Sequence, residues 1–180
     1  MANRAYFINH GEDAPVSLDN QKGKWLLAAN YQLPVLWLAM FSEADLKVVS
    51  TRMQDAQGNQ VIEQMPTLVA AVPEATRRYE ERCAVLAAAI SDSCRPQVEE
   101  WAAFIATQLT LPFVQLEMTE LRIMEEPHAF DNGLREYLSV FASATDPAWD
   151  ALRSQANLED PQVARYGLRG YPWDSELKWK

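Results

Sequence analysis

Imidazole and thiol groups are scarce in this 180-residue sequence. It holds two histidines, His10 and His128, and two cysteines, Cys83 and Cys94. Two cysteines are too few for a secreted disulfide framework, and their spacing matches no zinc knuckle, so both are read as reduced, partly buried thiols. The Gly-x-Ser-x-Gly turn of serine hydrolases is missing, and nothing places Cys94 beside either histidine. His10, Glu12, Asp13 and His128 are ligand types for a divalent cation, but no His-Glu-x-x-His or comparable spacing is present. Gly167-Leu168-Arg169-Gly170 lacks the third glycine and the Lys-Ser/Thr ending of a phosphate loop. The sequence therefore predicts no catalytic set, no metal site and no cofactor.

Other absences concern location and charge. The start lacks the basic region and apolar run of a signal peptide. The longest apolar run, Leu33 to Phe41, is far short of the ~20 residues that span a bilayer, so a cytoplasmic protein is expected. Lys and Arg are rare between residues 96 and 160, where 3 of them face 12 Asp/Glu, and the whole chain carries a net charge of -9. Such a field repels phosphate backbones and anionic lipid, which argues against nucleic acid and membrane, and it attracts basic proteins.

What is present is apolar and aromatic: 48% of the residues are hydrophobic, with six each of Trp, Tyr and Phe. That supports one packed domain over residues 1–180. Arg4 to His10 reads as a strand stopped by the turn at Gly11–Pro15, and Val16 to Asp19 as an extension or a partner of it. Lys24 to Tyr31 fits either a strand or a short helix. Pro34 opens a buried helix through Phe41. Leu46–Met53 and Gln60–Glu63 form a hairpin about Asp55–Asn59. Helical spacing follows from Pro73, with Tyr79, Cys83, Leu86 and Ile90 on one face. A second helix starts near Pro96, with Glu99 and Glu100 at the positive end of its dipole. Val114 to Glu120 alternates as a half-exposed strand with Gln115, Glu117 and Thr119 on one face. Helices follow after Asp131 and after Asp146-Pro147, where Asp146 serves as a cap. Residues 165–180 read as an ordered aromatic tail. The fold class is α+β: a small, mostly antiparallel sheet packed with four to six helices.

The opening Met1-Ala2-Asn3-Arg4-Ala5-Tyr6-Phe7 resembles the start of a loosely defined group of small bacterial proteins, some of them grouped with immunity proteins beside polymorphic toxins. The resemblance carries over no functional residues. It implies a cytoplasmic protein that binds and neutralises a toxin or effector domain, which agrees with the acidic and aromatic composition. Two alternatives are a small acidic hydrolase working through a carboxylate cluster and a chaperone or adaptor for an effector. Glu99, Glu100 and Asp146 have local structural reasons to be acidic, whereas Glu117, Glu120, Glu125, Glu126 and Asp131 have none. Those five, with Tyr171 and Trp173 as aromatic anchors, are the predicted partner-binding residues.

Overall fold

A computed structural model describes residues 3–17, 22–54, 57–90, 92–157 and 161–172. Six strands form one antiparallel sheet in the order β3-β4-β5-β1-β2-β6: β1 (Arg4–His10), β2 (Lys24–Asn30), β3 (Leu46–Gln54), β4 (Gln60–Ala71), β5 (Phe113–Glu117) and β6 (Tyr171–Pro172). The helices are α1 (Val35–Leu38), α2 (Val72–Ala89), α3 (Arg95–Gln108), α4 (Thr119–Arg122), α5 (Pro127–Ser139), α6 (Ala148–Gln155) and α7 (Pro161–Arg169). The fold is α+β, as the sequence predicts. Among the described residues there are seven α-helices where four to six are expected, and two of them, α1 and α4, are single turns.

Side chains alternate across the sheet, so each strand offers two faces. Ala5, Phe7, Leu68, Ala70, Val114 and Leu116 point into the main core, beneath α1, α2, α3 and the C-terminal helices. Full burial of one such large apolar side chain stabilises the fold by about 1.5–3 kcal/mol. Three indoles anchor this layer, Trp37, Trp101 and Trp149, all with no exposed surface. Trp101 stacks on Phe104 at 5.0 Å and meets Phe7 edge-on at 5.3 Å. Helices α2 and α3 are tied by Tyr79 Oη donating to the Val98 carbonyl at 2.8 Å.

The run Leu33–Phe41 is buried throughout, but only one helical turn forms before it ends. Its last carbonyls would be costly to bury unpaired. Arginines from α2 meet them: Arg82 donates to Ala39 O, and Arg78 donates to Met40 O and to Asp45. Burial lowers the Arg82 pKa to about 10, which still leaves its guanidinium charged at neutral pH.

Several sequence expectations change here. Lys24–Asn30 is a strand, with a bulge against β1 where the register passes over Leu26. Strand β4 continues eight residues past the expected Glu63. Pro66 in its middle breaks the usual strand signal, because it supplies no backbone donor. Val16 lies in a loop and not in a strand, and Leu18 and Asp19 fall outside the described residues. Strand β5 is not half-exposed: both of its faces are buried, and Thr119 begins α4 instead of extending it. The residues before β2 explain the polar face. Val16 N donates to Gln115 Oε1 at 2.7 Å, and Gln115 Nε2 donates back to Val16 O at 2.8 Å, so the Gln115 side-chain amide is sealed by the backbone of this loop.

The tail also differs. Residues 161–169 are helical, and Tyr171–Pro172 adds the edge strand β6 to β2. Gly167 hid this helix from the sequence pattern. A Cβ there would meet the Ala156 carbonyl at 2.2 Å, so glycine permits α7 to cross the end of α6. Gly170 ends the helix at φ +66, with the Ala28 carbonyl 2.5 Å and the Trp37 ring 2.6 Å from where a Cβ would stand. The Trp37 indole donates to the Arg169 carbonyl at 3.0 Å. Gly170→Ala combines left-handed strain with a backbone collision and is expected to destabilise the fold by about 2–5 kcal/mol. Urea unfolding checks this through a lower midpoint at an unchanged slope.

Candidate functional site

The five acids predicted to meet a partner have separate fates. Glu117, on the sheet face away from the helices, is opposite Tyr6 on one side and Thr67 on the other and has no exposed surface. This corrects its assignment as a contact residue, since a sealed carboxyl touches no partner of the folded chain. Oε1 accepts the Thr119 backbone N–H at 3.0 Å, while Oε2 has no hydrogen-bond partner among the described residues. Burial pushes its pKa up to about 7, against the Thr119 hydroxyl and amide, which favour the ionised form.

Glu120 is half-buried and held at both oxygens. Tyr6 Oη donates to Oε1 at 2.9 Å, and Arg4 N donates to Oε2 at 2.9 Å. Burial first, then the neighbouring Glu120, raises the Tyr6 phenol to about 12, so it stays a donor. Asp131 pairs with Arg122 at 3.3 Å. Glu120 and Asp131 therefore have the local structural reasons that the sequence did not reveal. Glu126 is the N-cap residue of α5, its carbonyl accepting the Ala129 and Phe130 amides, with its side chain exposed beside the positive end of the helix. Glu125 is exposed in the α4–α5 turn. Elsewhere in the acidic stretch Glu100 pairs with Arg169, Asp150 with Arg153, and Asp146 Oδ1 accepts the Ala148 amide. Among the described residues, Glu99, Glu125, Glu126 and Glu136 are exposed without an ion pair.

Glu125 borders a cleft of about 90 Å³ whose floor is Leu33, Leu121, Phe130 and Leu134 and whose rim includes Tyr31, Gln32, Met124 and Tyr137. Gln32 also lines a neighbouring cleft of about 270 Å³, with Ala29, Asn30, Tyr166 and Tyr171. The predicted Tyr171 is thus brought onto the same flank as Glu125, and Trp173 lies outside the described residues. Tyr31, Gln32, Met124, Tyr137 and Tyr166 were not visible as site residues in the sequence. Tyr31 is held at φ 60, in the left-handed region that disfavours a tyrosine, with its amide bonded to the Asn3 carbonyl at 2.9 Å and its side chain 57% exposed. Holding an exposed aromatic in that conformation costs about 1–2 kcal/mol, and such strain concentrates at functional surfaces. The Tyr137 phenol is raised by burial and then by the charges of Glu125 and Glu136.

His10 is buried and stacked on Phe113, and burial lowers its pKa; His128 is exposed at the start of α5. Among the described residues, no three His, Cys, Asp or Glu side chains come together as a metal-binding group. None of the described helices is long and apolar enough to cross a membrane.

Glu117 predicts a pH signature. Its folded pKa lies above its unfolded value, so the folded chain holds that proton more tightly, and stability falls as pH rises between about 4.5 and 7. Each unit of such a shift is worth about 1.4 kcal/mol. Glu117→Gln carries no ionisable group, so its stability relative to the native chain is expected to rise across that interval. Denaturant titrations of both proteins at pH 4.5 and pH 8 measure the difference.

Comparison with known proteins gives no family model, no curated protein and no solved structure that matches the chain.

Proposed function

We propose that this chain is a binding protein that recognises a basic protein partner through the tyrosine-lined, acid-rimmed flank formed by the two clefts. The carrying observation is the convergence of Tyr31, Tyr137, Tyr166 and Tyr171 on clefts that share Gln32, with Glu125 on the rim. Tyrosine supplies large, stiff, amphipathic contact area with a small loss of side-chain entropy on binding, and it is enriched among residues that dominate interface energy. Met124, 49% exposed, adds an adaptable apolar contact. Glu125, Glu126 and Glu136, exposed and without an ion pair among the described residues, supply the field that steers a cationic partner.

The most specific form of this reading is an immunity protein that neutralises a toxin or effector domain in the cytoplasm. Two features support it: the acidic and aromatic composition and the likeness of residues 1 to 7. The hydrolase alternative draws little support from the predicted acids, since Glu117 is sealed and both oxygens of Glu120 are already engaged. A chaperone would use a similar surface, and a cell assay separates the two. Immunity rescues cells from the active toxin, whereas a chaperone raises the yield of an inactive one.

Calorimetry with the catalytic domain encoded by an adjacent toxin-like gene tests the reading, and saturable binding is expected. Reversing Glu125, Glu126 and Glu136 to Lys is expected to slow association about tenfold at low salt and much less at 0.5 M salt, where the Debye length falls to roughly 4 Å. Failure of the native chain to bind contradicts the reading, and a salt-independent on-rate removes the steering role of these acids.

A further inference from the structure

The smaller cleft has the chemistry of a receptor for one basic side chain, and we propose that it takes an arginine of the partner. This rests on the protein-binding reading and specifies what that surface recognises. The floor is apolar, with Leu33, Leu121, Phe130 and Leu134 buried beneath it. The rim carries the Tyr31 and Tyr137 phenols and the Glu125 carboxylate, which has no ion pair among the described residues. Arginine has the matching order of parts, an apolar stem ending in a charged planar head. The stem covers the leucines, while the guanidinium meets Glu125 through paired hydrogen bonds and a tyrosine face through cation–π contact.

The surrounding charges favour this cleft over its neighbour. In the larger cleft, the Arg165 guanidinium already lies over the Tyr166 ring at 4.8 Å, and Arg4 bonds to Asn30, which also accepts from Tyr171. That half is supplied with cations from the chain itself. Around the smaller cleft the nearby arginines are otherwise engaged: Arg122 with Asp131 and Arg135 with Glu43.

The test uses the full chain and two probe peptides, acetyl-Gly-Arg-Gly-amide and acetyl-Gly-norleucine-Gly-amide, followed by methyl and amide NMR. The arginine peptide is expected to shift the Met124 methyl and the amide of Gly133, which also lines the cleft, saturably, with a dissociation constant on the order of millimolar. The norleucine peptide, which keeps the stem and loses the cation, is expected to bind at least about threefold more weakly, and Glu125→Gln to weaken the arginine peptide by about threefold to tenfold. Equal shifts from both peptides, or arginine binding unchanged by Glu125→Gln, overturn the proposal. If the arginine peptide leaves Met124 and Gly133 unmoved while the partner domain still binds in calorimetry, the arginine site fails and the protein-binding reading stands.

Discussion

The contact of the Trp37 indole with the backbone at Gly170 holds the candidate surface together. Trp37 sits at the centre of the core, against Phe7 at 5.4 Å, and its indole N–H bonds to the last carbonyl of α7. Because residue 170 has no side chain, the chain passes between that ring and the Ala28 carbonyl and continues as β6 along β2. One close approach thus joins the first third of the sequence to its end. Tyr166 precedes it on α7 and Tyr171 follows it on β6, and both reach the cleft that begins at Asn30 and Gln32. The surface is composite: its residues come from the β2–α1 turn, the α4–α5 turn, α5, α7 and β6.

Charge on this molecule is divided between structure and display. The negative stretch reads in sequence as one feature, but among its described members Glu100, Glu117, Glu120, Asp131, Asp146 and Asp150 are consumed by the fold. Glu117 is held where burial favours its protonated form, Glu120 is a two-handed acceptor joining β1 to α4, Asp131 and Asp150 neutralise neighbouring arginines, and Asp146 accepts the first amide of α6. Among the described residues, Glu99 on α3 and Glu125, Glu126 and Glu136 at the turn into α5 and along it remain, and the last three stand together. A few unpaired carboxylates beside tyrosines have a more local effect than a net charge of -9 spread over a surface, because screening confines each charge to about 10 Å at ordinary salt.

Much of the scaffold was legible in the sequence, and the reasons are periodic. Tyr79 and Leu86 repeat at helical spacing, Arg4 to His10 is aromatic and bounded by a turn, and Pro73 and Pro96 mark helix starts, so α2, α3 and β1 could be placed. What escaped depended on close approaches between distant segments. Gly167 looks like a helix breaker until Ala156 is known to lie against it, and Gln115 looks solvent-facing until Val16 is found bonded to it. The candidate surface was legible only in part for the same reason. Glu125, Glu126 and Tyr171 were identifiable by type, but nothing local signals that Tyr31 adopts a positive φ or that Tyr137 stands beside Glu125.

Hydrogen-exchange footprinting of the chain in complex with its partner domain tests the central claim most directly, because it reports which backbone segments become protected. Protection concentrated in residues 30–33, 121–137 and 164–172, with little change in the β3–β4 hairpin, is the predicted result. Protection confined to that hairpin, with the tyrosine-lined flank exchanging as in the free chain, contradicts the account.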